Sequence, residues 1–445
     1  MRSDEAFLCD RDIRRASEAL GRVAGMKVED ARAFDPFAGV RRVAGKATFE
    51  EVSTWEAPAH EAPMREALLR WIHELLQARV GHDLVCDERE ALSAIDETAF
   101  ETARSYEEAW SWLLAEPNPS RAAIHLERAA ALAAPVAAVR RERRARRFEA
   151  SKRLGLDHPS ALATTVPPVE LARGVLDATE PLASQLLRDQ RKRTEGTFTA
   201  AHGMRMGFAD DAREGWPAKL LLRWLREVFG AVAPRVFAVP ALPAAISAAS
   251  FVRGAHRFGY ALRLAGVPRS LPFVLARDPA PVAPHVFGGA FSIVVASAPF
   301  HQRALGLPTR IARAQERALG ITLLWSLRLA AARLLLGHHA EVDREVFAET
   351  SNRLFGVPLP PSLRDAWPAI APSTAPSDLP AALVGAVRAF DFAHDLGARF
   401  DDDWYRNPKA GAHLAALAAG PAWDGEPPAD GAARRIGRAF EELLG

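Results

Sequence analysis

Residues 256–260 read His-Arg-Phe-Gly-Tyr, a string with the outline of a metal-hydrolase helix. An H-E-x-x-H helix sets two imidazoles at i and i+4 so that both face one metal ion. The intervening glutamate supplies the carboxylate that deprotonates a metal-bound water. Here His256 matches the first ligand, Arg257 stands at the general-base position, Gly259 matches the small residue often found there, and Tyr260 replaces the second histidine. A guanidinium has no lone pair with which to accept a proton, and a fixed cation beside the site opposes a divalent metal. A tyrosine oxygen ligates only after losing a proton whose reference pKa is about 10. The pattern predicts the shape of a zinc-site helix and no zinc hydrolysis.

Ala255–Leu262 (AHRFGYAL) resembles the active-site helix, L-H-E-x-G-H-A-x-H, of the thimet oligopeptidase and oligoendopeptidase F family of helical zinc peptidases (gluzincins). Two other segments are similar to that family in the same order and rough spacing. Ser151–Leu156 (SKRLGL) matches an A-K-L-x-G-Y signature, and Arg399–Leu414 (RFDDDWYRNPKAGAHL) matches a C-terminal helix pair. The resemblance implies an all-α, two-lobed, multi-helix body with few or no strands and a central cleft for an extended peptide. It also implies a glutamate on the next helix as third metal ligand. The corresponding stretch, Pro284–Ser292 (PHVFGGAFS), holds no carboxylate; Val286 or Phe287 falls at the glutamate's place, and His285 is the one possible ligand nearby. His256 and His285 alone suit zinc poorly.

The function that fits these residues is a catalytically inactive, metallopeptidase-like protein that binds a peptide or partner protein. Its vestigial site would comprise His256, Arg257, Tyr260, His285 and Phe287, with no metal and no cofactor. Arg257 would pair with a carboxylate of the protein or of the ligand. Two alternatives stay open: an active metal-dependent peptidase with a rearranged site on His256, His285 and His301, and a helical scaffold or assembly subunit.

Other chemistry-bearing residues read more simply. His338, His339, Glu341, Asp343 and Glu345 suit no standard metal spacing, and fit the end of one helix and the first turn of the next. Asp401, Asp402 and Asp403 lack the glycine and distal glutamate of a calcium loop and read as a helix N-cap. Gly288 and Gly289 belong to no phosphate loop. The arginines at 140, 141, 143, 144, 146 and 147 wrap around a helix and read as a solvated surface, with Glu142 and Glu149 at ion-pair range; nucleic acid is not expected.

These groups must be positioned by helices. The chain of 445 residues is 49% hydrophobic and 25% charged, with a net charge of +2, so it can bury a large core and exerts no global pull on nucleic acid. The stripe Leu68, Leu69, Ile72, Leu75, Leu76 and Val80 predicts a helix ending at Gly81. Ser105 and Glu108 have capping-box spacing. Pro119 opens a long helix kinked at Pro135, and Thr179 before Glu180 and Pro181 marks another start. Further helices are predicted at about 217–229, 244–265, 308–336, 340–354, 379–398 and 432–444. Arg235–Val239 is the best strand candidate, and 267–284 and 357–378 read as proline-rich loops. Residues 1–60 are expected as an extension of irregular or mixed structure, 61–230 as an N-terminal helical lobe, and 231–445 as a C-terminal lobe carrying the degenerate site. Two distant cysteines, a charged N-terminus and no uninterrupted apolar run of membrane-spanning length point to the cytoplasm.

Overall fold

The computed structural model describes residues 3–163, 168–239, 242–367, 378–420 and 431–444. Among the described residues there are 20 α-helices and no strand, so the chain is all-α. Arg235–Val239, the strand candidate, is a turn and irregular chain; a strand needs a ladder partner, and none is present among the described residues. Pro240, which bounds it, and residues 368–377 of the 357–378 loop lie outside the described residues.

The first 60 residues are not irregular. They form α1 (Ser3–Val23), α2 (Val28–Ala33), a 3-10 turn at Arg41–Ala44, and α3 (Lys46–Ser53). Along α1 the buried positions are Ala6, Cys9, Ile13, Ala16, Ala19 and Val23. That stripe has helical spacing, but its small side chains hide it in a hydrophobicity pattern. Its first four residues pack with Leu68, Ile72 and Leu75 of α4 (Ala62–Val80).

Then come α5 (His82–Ser93), α6 (Tyr106–Ala115), α7 (Pro119–Ala131) and α8 (Ala133–Arg153). Ser105 caps α6 as predicted, accepting the Glu108 N–H at 3.1 Å, while the Glu108 carboxylate accepts the Arg104 N–H at 2.6 Å. The expected kink is a 60° bend between α7 and α8; Pro135 sits in the first turn of α8, where its missing donor removes no helical bond. After α8, Gly155 adopts φ +75° and the Leu156 N–H returns to Ser151 O at 3.0 Å, a left-handed turn that closes the SKRLGL segment.

No helix begins at Thr179. Instead α9 (Pro168–Arg193) continues through Pro181, and the Thr179 hydroxyl donates back to Val175 O at 2.7 Å. Arg328, from a later helix, donates to Leu176 O, Thr179 Oγ1 and Glu180 around the same turn. Tertiary hydrogen bonds outweigh the proline signal here.

The remaining helices are α10 (Ala200–Arg205), α11 (Leu222–Phe229), α12 (Ala248–Gly266), α13 (Phe273–Ala276), α14 (Val282–Ala296), α15 (Ala298–Ala304), α16 (Thr309–Gly337), α17 (Arg344–Phe355), α18 (Asp378–Phe400), α19 (Pro408–Ala419) and α20 (Ala432–Leu444). Helix α16 is long and apolar enough to cross a membrane by length and composition, although 61% of its apolar window is buried inside the molecule. Arg328 and Arg333 break that run in the sequence.

The helices around the candidate site share one core, in which Phe229, Phe258, Phe291, Phe300 and Tyr405 meet at ring distances of 4.9–6.3 Å. Each fully buried aromatic is worth about 1.5–3 kcal/mol. Two further cores draw from both sides of residue 230: Tyr106 and Leu126 with Phe347 and Trp367, and Val175 and Leu187 with Leu324 and Phe440. Helix α14 packs on both α12 and α18. A Cβ at Gly259 would lie 2.6 Å from Phe287 O, and one at Gly288 would lie 2.7 Å from His256 O, so glycine is what permits α12 and α14 to approach this closely.

Candidate functional site

Helix α12 is capped at Ser247, where the Ser250 hydroxyl accepts the Ile246 and Ser247 N–H groups at 3.2 and 3.4 Å. Phe251, Val252, Gly254, Ala255, Phe258, Gly259, Ala261 and Leu262 are buried, whereas His256, Arg257 and Tyr260 are half-buried and Arg253 is exposed. Positions 253, 256, 257 and 260 are spaced i, i+3, i+4 and i+7, and so form one face of the helix. The core takes the opposite face.

On that face the His256 ring lies 5.5 Å from the His285 ring and 6.4 Å from the Tyr260 ring. Tyr260 meets His285 edge-on at 5.2 Å. His285, on α14, places Nε2 3.0 Å from Oδ1 of Asp378, the first residue of α18. Burial, then the neighbouring His285, lowers the His256 pKa to about 3, so its imidazole is neutral at ordinary pH. Burial also pushes the Tyr260 hydroxyl above its usual range, away from the phenolate that a metal would require. Burial alone would raise the Asp378 pKa, but the His285 hydrogen bond and the charges of His285 and Arg333 outweigh it and hold the carboxyl below its usual value.

Four of the five sequence candidates therefore gather on or against one helix face. Phe287 does not. It is fully buried, 5.4 Å from the Phe392 ring, because it stands about 200° around α14 from His285 and cannot face the same side. Val286 is equally buried. His301 is also elsewhere, with both ring nitrogens against backbone carbonyls, Val295 O at 2.9 Å and Ala312 O at 3.2 Å. Arg253, Arg333 and Asp378 are not residues that the sequence singles out. Arg253 is legible in hindsight, one turn before Arg257; Asp378, 93 residues from His285, carries no such signal.

The metal that an H-E-x-x-H helix implies does not fit this donor set. Arg257 has no lone pair to offer, the Tyr260 phenol is held protonated, and Nε2 of His285 is engaged by Asp378. Among the described residues no group of three or more His, Cys, Asp or Glu could hold a metal ion.

The other candidates resolve in detail. Asp343 caps α17, accepting the Glu345 and Val346 N–H groups, and His338 closes α16. The Asp401–Asp403 run leads into a 3-10 turn, Trp404–Arg406, with Asp403 at the N-cap position, but its side chain makes no capping hydrogen bond and pairs with Arg303 at 3.0 Å; the cap of α19 is Asn407. The arginine run is only partly a solvated face. Arg140 and Arg143 are buried and converge on the Glu88 carboxylate, Arg144 pairs with buried Asp365 at 3.0 Å, and Arg146 pairs with Glu142 and Asp83. Inward arginines tie α8 to α5 and to the turn after α17. The helix-range pair to Glu149 also forms, from Arg153.

No protein-family model and no curated protein matches the chain. Solved structures do. A PZ peptidase A determined with an inhibitor superposes with a TM-score of 0.63 at 11% identity, over 94% of this chain and 86% of that one. An oligoendopeptidase F superposes with a TM-score of 0.57 at 13% identity, over 99% of this chain and 86% of that one. The chain has the fold of these peptidases. The resemblance seen in three short segments thus extends over nearly the whole chain, while sequence identity is that of a distant relative.

Proposed function

We propose that the protein is a catalytically silent relative of the zinc oligopeptidases, which binds a peptide or a segment of a partner protein without cutting it. The observation that carries this is Arg257. In a fold shared with peptidases it occupies the general-base position on the open face of α12, beside a neutral His256 and a protonated Tyr260. Peptide hydrolysis at a metal needs a proton acceptor next to the bound water, and the residue that matches the carboxylate base is a guanidinium, which cannot accept a proton. What the face retains is solvent access and hydrogen-bonding capacity, which are requirements of binding. A cytoplasmic location accompanies the proposal, since both cysteines are free and buried.

The test is made on purified protein dialysed against a weak chelator, then supplied with zinc and a quenched-fluorescence peptide library. The expected result is sub-stoichiometric zinc by mass spectrometry and no cleavage, with peptide binding by anisotropy. Stoichiometric zinc with chelator-sensitive cleavage that His256→Ala abolishes would overturn it.

A further inference from the structure

If the face of α12 binds peptide, its charge says which peptide. Arg253 and Arg257 lie one turn apart on that face, and among the described residues neither has a carboxylate partner. The polar contact of Arg253 is the Ser250 hydroxyl at 3.3 Å. Nearby charges do not neutralise them: Asp210 is taken by a two-pronged pair with Arg205, and Asp378 by His285. Arg205 and Arg253 both stand over the Phe208 ring, at 4.2 and 5.7 Å from its centroid, which brings a third guanidinium to the same wall.

Arg253 is exposed, yet surrounding protein desolvates it, and Arg257 and Arg205 press its pKa down further. Two arginines one turn apart, with no carboxylate partner among the described residues, suit a planar anion, because the guanidinium fork matches a carboxylate bidentately.

We propose that Arg253 and Arg257 together hold a carboxylate of a bound peptide, either an acidic side chain or the C-terminus. This inference rests on the peptide-binding function above. Arg257 would then serve as an anchor at the position where a hydrolase carries its base.

Four fluorescein-labelled decapeptides test it, with a central Glu-Asp or Gln-Asn pair and a free or amidated C-terminus. Carboxylate-bearing peptides should bind at least about tenfold more tightly than the neutral one, with the margin shrinking in high salt. Loss on amidation assigns the terminal carboxylate, and loss with Gln-Asn assigns the side chains. The double variant Arg253→Gln/Arg257→Gln should remove the margin, and Arg253→Lys/Arg257→Lys should keep part of it, since lysine keeps the charge without the fork. Equal binding of all four peptides to the unaltered protein would overturn the carboxylate site while leaving peptide binding intact. Binding of none would remove the peptide-binding function itself.

Discussion

The crossing of α12 and α14 permits a quantitative test of how the site is held. A methyl group placed on Gly288 would lie 2.7 Å from His256 O and 2.9 Å from two ring carbons of His256, where ordinary contact begins near 3.4 Å. The carbonyl belongs to a helix backbone and cannot swing aside, so the helices must part by about 0.7 Å or strain. Overpacking of this kind costs about 1–3 kcal/mol, and with a rigid neighbour the upper half of that range applies. Replacing glycine by alanine inside a helix returns about 0.8–1 kcal/mol of backbone propensity. Gly288→Ala should therefore destabilise by a net 1–2 kcal/mol or so. Gly397 of α18 provides the reference, since a Cβ there meets nothing within 4 Å; Gly397→Ala should stabilise by about 0.5–1 kcal/mol. Urea unfolding of both variants beside the parent protein reads the difference of about 1.5–3 kcal/mol as opposite shifts of midpoint. A Gly288→Ala protein as stable as the Gly397→Ala protein would refute the close approach, and with it the account of how His256 is set against His285.

Arg328, fully buried on α16, donates to Leu176 O, Thr179, Glu180 and Arg353 O at 2.8–3.1 Å. Arg328→Met should cost about 3 kcal/mol by chemical denaturation, the low end for breaking a buried pair, because Arg353 still neutralises Glu180. Glu88→Gln, which weakens the anchor of buried Arg140 and Arg143, should cost about 3–5 kcal/mol, whereas Glu142→Gln on the exposed side should cost less than about 1 kcal/mol. Acid should destabilise the protein early. Burial lowers the His256 pKa to about 3 and those of His73 and His158 to about 4, from 6.5. The unfolded chain then takes up protons first, so the stability these groups carry is complete above pH 6.5 and is lost as pH falls toward 4 and below. Denaturation midpoints measured from pH 7 to pH 4 should fall steadily, and His73→Gln should flatten the slope.

Much of the fold is legible in the sequence because helix periodicity and capping are local. The stripes that predict α12, α16, α18 and α20 need only a few consecutive turns to be read, and Ser105 with Glu108 fixes the start of α6 within four residues. Helix α1 escapes because alanine and cysteine write most of its stripe, α2 and α3 because six and eight residues are too short to show a period, and α9 is misread because Pro181 signals a helix start that Arg328 and Thr179 override from their places in the packed structure.

The chemistry divides along the same line. The residue types at 256–260 by themselves determine that position 257 carries no proton acceptor, since no packing gives a guanidinium a lone pair. Only the tertiary structure decides that His285 faces Asp378, that Phe287 turns into the core, that Arg140 and Arg143 close on Glu88, and that Arg253 and Arg257 meet no counter-charge among the described residues. Which side chains meet across tens or hundreds of residues depends on how helices are stacked and rotated. A rotation of one residue, about 100° on a helix, exchanges a core position for a site position.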